Sequence, residues 1–127
     1  MTLRILVVED EAVSAMAIRL MLESSGATVI GIADSGEEAI ALALKLLPDL
    51  VLMDIRLKGG MNGIESAKII RAHLHIPIII VTAYTAHEIR ESYSLTDEFL
   101  FINKPIQESQ LTESIVTACR QGERSTT

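Results

Sequence analysis

Five short runs dominated by Ile, Leu and Val recur along the chain: RILVV at 4–8, ATVIGIA at 27–33, DLVLM at 49–53, PIIIVT at 77–82 and EFLFI at 98–102. Each carries apolar side chains at consecutive positions, so as a strand it must be covered on both faces. Between the runs lie segments with helical spacing. Ala12 to Ser24 places Ala15, Ile18, Met21 and Leu22 on one side, and Gly26 is a natural stop. Ser35 followed by Glu37 and Glu38 marks another helix start, with Ala39, Ile40, Ala43 and Leu47 behind it. Gly63 to His73, Ala86 to Ser94 and Glu108 to Gln121 complete five expected helices. Strand and helix alternating with short connections predict an α/β domain, a doubly wound five-stranded parallel sheet with helices on both faces. Residues 1–121 form one domain in this reading, and 122–127, GERSTT, form a polar, frayed tail.

Functional groups in such a sheet gather at the carboxyl ends of the strands. Those ends carry Glu9-Asp10-Glu11, Asp54, Thr82-Ala83 and Asn103-Lys104-Pro105. The second run ends in Ala33-Asp34, where helix capping is explanation enough. Taken singly the acids are also ordinary: Asp54 can open a turn, Asp10 can cap a helix and Glu11 can sit in its first turn. Taken together they are not. Two unit charges about 4 Å apart repel by roughly 1 kcal/mol in water and about 4 kcal/mol at an effective dielectric of 20. Glu9, Asp10 and Asp54 at neighbouring strand ends therefore need a cation or raised pKa values. An all-oxygen site open to water suits Mg²⁺, and with no His/Cys cluster beside it zinc and copper are disfavoured.

Composition narrows the classes further. The 127 residues carry a net charge of −6, which argues against direct nucleic-acid binding through a basic face. Cys119 is the sole cysteine, so an internal disulfide is excluded and a reducing, cytoplasmic setting is expected. The N-terminus MTLRILVVED lacks the apolar core and cleavage site of a signal peptide, and no apolar run approaches membrane-spanning length. A soluble protein without membrane contact is the expectation.

The joint pattern VVEDE, VLMDIRL followed by NGIE, VTAY and FINKP resembles the receiver domain of the two-component response-regulator family, from about Ile5 to Cys119. That resemblance implies a flavodoxin-like sheet in strand order 2-1-3-4-5 and a phosphoacceptor function. Asp54 would take a phosphoryl group from a sensor histidine kinase or a histidine phosphotransfer protein. Asp10 would bind Mg²⁺ directly, Glu9 through water and Arg56 through its backbone carbonyl, with Asp54 completing the metal site. Lys104 would pair with the acceptor and then with a phosphoryl oxygen, and Thr82 would donate its hydroxyl. The amides of Ile55 and Ala83 would hold phosphoryl oxygens. Phe101 matches the aromatic switch position, and Lys104-Pro105 the family's Lys-Pro pair, whose peptide bond is often cis. Phosphorylation would remodel the surface formed by the helix at 86–94, the strand at 98–102 and the helix at 108–121. An unknown downstream protein would read that change, and a phosphorylation-dependent dimer is compatible with the resemblance.

Two departures from the family pattern stand out. The segment RLKGGMNGIE is one residue longer than the commonest version, with Lys58 where proline is usual and Gly59-Gly60 loosening the loop. The segment SYSLTDEFLFINKP lacks the glycine often found before the fifth strand. Among other candidates, His73 and His75 lie in an exposed connection and His87 on a solvated helix face. Cys119 shares helical spacing with Leu111, Ile115 and Ala118, so it reads as a core thiol, and Met16, Met21 and Met53 read as core filler. Tyr84, two past Thr82, either screens the phosphoryl group or packs on the next helix. A Mg²⁺-dependent aspartyl-phosphate phosphohydrolase would need an acid where Arg56 stands, so catalysis is expected only on the domain's own phosphoryl group. A phosphorylation-independent interaction module is disfavoured because Asp10, Asp54, Thr82 and Lys104 are all present.

Overall fold

The structure, a computed structural model, describes residues 2–83, 85, 87, 88, 91 and 99–125, the last five of these by backbone alone. In chain order the elements are β1 (Arg4–Val8), α1 (Ala12–Ser24), β2 (Thr28–Ala33), α2 (Gly36–Leu46), β3 (Leu50–Asp54), α3 (Gly63–His73), β4 (Ile78–Thr82), β5 (Leu100–Asn103) and α4 (Glu108–Ser125). All four strand pairings are parallel, and the order across the sheet is β2-β1-β3-β4-β5. The strand order implied by the resemblance is therefore the one observed. Four helices lie among the described residues; the fifth expected helix, at 86–94, falls largely outside them, as does Tyr84.

Alternation along the buried strands splits the core into two layers. Leu6, Val8, Val51, Met53, Ile78 and Ile80 face α2 and α3, packing with Ala39, Ala43, Ile64, Ala67 and Ile70. Ile5, Val7, Leu50, Leu52, Ile79, Val81 and Ile102 face the opposite way, with Ile18 and Leu22 of α1 and Leu111 and Ala118 of α4. Both faces of the central strands are thereby consumed, which leaves only the strand ends for chemistry.

Helix boundaries follow local signals closely. Ser35 accepts the Glu38 amide at 3.1 Å and caps α2, whose first turn holds Glu37 and Glu38. Asn62 and Glu65 form a reciprocal capping box at the start of α3. Other expectations need correction. The ordinary alternative for Asp10, capping α1, fails: Glu11 occupies that position and makes no side-chain capping bond. Met16 is 53% exposed rather than core filler, Met21 is half-buried, and only Met53 is fully enclosed. Cys119 is half-buried at the margin of the core. The last helix, expected to end at Gln121, continues to Ser125. Among the described residues no helix is long and apolar enough to cross a membrane.

Candidate functional site

β3 ends on Asp54, inside the strand rather than beyond it, and β1 ends one residue before Glu9. Because these strands are adjacent, with Val8 paired to Met53, the two carboxylates are carried to the same edge. Both are buried, Asp54 at 5% exposure and Glu9 at 3%, while Asp10 is half-buried. One oxygen from each of Glu9, Asp10 and Asp54 lies within 4.8 Å of the others. On the other flank of Asp54, β4 ends on Thr82, which is 2% exposed, and its register partner Asn103 precedes Lys104. The Lys104 amide donates to the Thr82 carbonyl at 2.9 Å, which extends the ladder past the strand and aims the lysine across the pocket. The peptide bond between Lys104 and Pro105 is cis. The resulting cavity, about 310 Å³, is lined by Asp10, Glu11, Asp54, Ile55, Arg56, Thr82, Ala83 and Lys104.

The Asp54 carboxylate is held from two directions. Its Oδ2 accepts Lys104 Nζ at 2.8 Å, and its Oδ1 accepts the Arg56 amide at 3.1 Å. Glu9 is less well served. Its Oε2 accepts the Glu11 amide at 3.3 Å, whereas Oε1 is buried without a hydrogen-bond partner and stands 3.7 Å from Lys104 Nζ. Burial and the adjacent Asp54 carboxylate push the Glu9 pKa up to about 7, although the Glu11 amide and Lys104 pull the other way. For Lys104, burial opposes the charge, but the hydrogen bond and charge of Asp54, helped by Glu9 and Glu11, outweigh it and raise its pKa. One ammonium thus faces several acids. An orphaned buried oxygen among three carboxylates, with no nitrogen or sulfur donor, fits an oxygen-liganded divalent cation.

Of the predicted site residues, Glu9, Asp10, Asp54, Arg56, Thr82 and Lys104 converge here. Phe101 does not line the cavity; it is half-buried on β5 and packs against the α2–α3 layer. Its register partner is Ile80, two residues before Thr82, so Thr82 and Phe101 belong to the same face of the sheet. The Ile55 amide is not offered to the pocket: it donates to the Val81 carbonyl at 3.2 Å, and the amide aimed at the acceptor is that of Arg56. Sequence reasoning missed this exchange, and it also missed Glu11 as a wall of the cavity. Histidines are absent from the lining; His73 Nδ1 lies 2.9 Å from the Ile69 carbonyl and His87 pairs with Glu91.

Known proteins share this fold. Residues 5–116 match the family model described as the response regulator receiver domain. The chain is 33% identical over 115 residues to the transcriptional regulatory protein PdtaR of Mycobacterium tuberculosis, an alignment covering 91% of this chain and 56% of that protein. It thus spans about half the length of that relative. Among solved structures, the signal receiver domain of a modulated diguanylate cyclase from Desulfovibrio desulfuricans superposes with a TM-score of 0.89 at 34% identity, covering 98% of this chain and 99% of the other. The response regulator PhyR from Brucella abortus gives a TM-score of 0.85 at 34% identity, over 99% of this chain and 51% of PhyR. With the buried acids, threonine and lysine set at the ends of a 2-1-3-4-5 sheet, the chain belongs to the response regulator receiver domain family.

Proposed function

We propose that this domain takes a phosphoryl group onto Asp54 in a two-component phosphorelay, with Mg²⁺ at Glu9, Asp10, Asp54 and the Arg56 carbonyl. The observation that carries the reading is the state of Asp54 itself. It is a buried carboxylate fixed by Lys104 and the Arg56 amide, yet it opens onto a cavity large enough for a phosphoryl donor. An Asp54 oxygen forms the new P–O bond as the P–N bond of a phosphohistidine breaks, and the departing imidazole keeps the electron pair. Phosphoryl transfer needs positioning and charge neutralisation more than covalent assistance from the protein. Lys104 and the Arg56 amide supply positioning, and Thr82, on the cavity wall, would donate its hydroxyl to an added oxygen. Mg²⁺ bound at the acidic site would neutralise charge developing on the phosphoryl oxygens. Arg56 occupies the place where a phosphohydrolase needs an acid, so turnover is confined to the domain's own phosphoaspartate. A cytoplasmic setting follows from a histidine kinase or phosphotransfer protein as donor.

The donor protein has a surface to approach. Val13, Met16 and Leu20 are 81%, 53% and 60% exposed and recur at helical spacing along α1, whose capping residue Glu11 walls the cavity. A donor helix laid along this stripe would bring its phosphohistidine to Asp54. The reading is tested by incubating the purified domain with Mg²⁺ and acetyl phosphate and mapping the product. One acid-labile phosphoryl group on Asp54 is expected, and a label confined to another residue would overturn the assignment.

Thr82→Ala addresses the output. Moving a two-state equilibrium from 1:99 to 99:1 takes about 5.5 kcal/mol, whereas one hydrogen bond to a charged group supplies about 1.5–3 kcal/mol. Thr82 alone therefore cannot complete the change, and Lys104 and the metal share it. Thr82→Ala should still accept the phosphoryl group but show a reduced response at Phe99–Lys104 in amide NMR spectra with Mg²⁺ and beryllofluoride. Shift changes equal to those of the wild type would rule out coupling through Thr82.

A further inference from the structure

The eight residues between Asp54 and Gly63 are tied down at both ends and once in the middle. At one end the Arg56 amide holds Asp54 Oδ1 at 3.1 Å. At the other, the Gly63 amide donates to the Ile55 carbonyl at 2.8 Å, and a Cβ on Gly63 would overlap the Asp54 carbonyl oxygen. The middle tie is an isolated parallel bridge between Lys58 and Ser35. Ser35 lies two residues beyond the end of β2 and caps α2, while Lys58 lies four beyond the end of β3. Since β1 stands between β2 and β3, the bridge joins two loops that follow strands which are not neighbours in the sheet. Immediately after the bridge, Gly59 takes φ +91°, beside the Glu37 carboxylate, and a Cβ there would stand 3.0 Å from Glu37 Oε2. Gly60 has no positive φ, and a Cβ there would meet nothing within 4 Å.

We infer that this loop is a strap that carries the state of Asp54 to the start of α2, so that Ser35–Glu38 respond to phosphorylation independently of the Thr82–Phe101 side. Resting on the phosphoacceptor reading, the inference follows from backbone connectivity. The Arg56 amide bonds the very carboxylate that would be modified, and only Leu57 separates Arg56 from the bridged Lys58. A phosphoryl group on Asp54 must displace or re-aim that amide. The next tie along the strap, at Lys58, is the isolated parallel bridge to Ser35, so displacement is passed to the residue that caps α2. Gly59 supplies the left-handed residue that the chain takes immediately after the bridge, where a side chain would crowd Glu37.

Gly59→Ala and Gly60→Ala separate the strap from general loop effects. Both sites are exposed, but only the first demands a left-handed alanine. Amide NMR spectra would be recorded for the wild type and both variants with Mg²⁺, before and after beryllofluoride. Wild type and Gly60→Ala should shift at Ser35, Gly36 and Glu38 as well as at Phe101–Asn103. Gly59→Ala should keep the response at Phe101–Asn103 and lose most of it at Ser35–Glu38. A wild type that responds at Phe101–Asn103 but not at Ser35–Glu38 would overturn the strap, as would a Gly59→Ala protein with the full response at both. Failure of beryllofluoride to shift any residue next to Asp54 would instead overturn the phosphoacceptor reading beneath it.

Discussion

Labelling by acetyl phosphate is expected to vanish in Asp54→Asn and to fall by about a hundredfold or more when Mg²⁺ is chelated. The asparagine keeps the size of the side chain and one oxygen, which can accept from Lys104 or from the Arg56 amide, the two donors that Asp54 meets with separate oxygens. It removes only the nucleophilic carboxylate, so the fold and the pocket persist while the reaction has no acceptor. Chelation has a different signature. The acceptor is intact, but the dianionic donor must enter a cavity walled by Asp10, Glu11 and Asp54 and opposed chiefly by Lys104. Charge stabilisation worth several kcal/mol is then missing, and each 1.36 kcal/mol is a factor of ten in rate. Asp10→Asn should lie between the two, labelled slowly and recovering in part as Mg²⁺ is raised. Mass spectrometry of the intact protein over time distinguishes the three. Undiminished labelling in Asp54→Asn would sink the assignment of the nucleophile.

Much of this site could be read from side-chain identities because the chemistry lies in side chains placed by strand ends. Hydrophobic runs located β1, β3 and β4 to within a residue, and a parallel sheet of this order places their final residues along one edge. Backbone groups could not be read in the same way. Nothing in the letters Ile55 and Arg56 says which amide faces the carboxylate; that is decided by the β3–β4 ladder, which consumes the Ile55 amide and turns the next one onto Asp54. Helix α1 shows a second kind of limit. It carries two apolar stripes, Ala15–Ile18–Leu22 and Val13–Met16–Leu20, and both obey helical spacing. Only the tertiary placement of α1 against the sheet decides that the first is buried and the second exposed. The Ser35–Lys58 bridge is a third case, a long-range contact between two loops with no pattern of its own in either.

Asp10, expected from the sequence as a metal ligand, stands in the acidic cluster with Glu9 and Asp54, and its replacement carries the second large effect. Since the cap position of α1 belongs to Glu11, deleting the Asp10 carboxylate removes a like charge beside Glu9 and Asp54 without removing a cap. Metal-free Asp10→Ala should therefore melt higher than the wild type, yet gain little from Mg²⁺. The wild type should gain about 2.7 kcal/mol at one hundred times the dissociation constant. The same repulsion sets a pH dependence through Glu9, whose pKa rises from 4.5 to about 7 on folding. Below pH 4.5 both folded and unfolded chains hold this proton. Between the two values the folded state retains it and the unfolded chain does not, so stability from this group is lost as pH rises through that window, by about 3 kcal/mol. The raised pKa of Lys104 acts only at alkaline pH, where stability is lost as that proton leaves, and does not disturb the window. Urea unfolding of metal-free protein should accordingly show falling stability from pH 5 to pH 8. Saturating Mg²⁺ should flatten that slope, because a cation then replaces the proton, and Glu9→Gln should flatten it without metal. A metal-free Asp10→Ala protein less stable than the wild type, or a Glu9→Gln protein with the wild-type slope, would show that repulsion among these carboxylates does not govern the resting site.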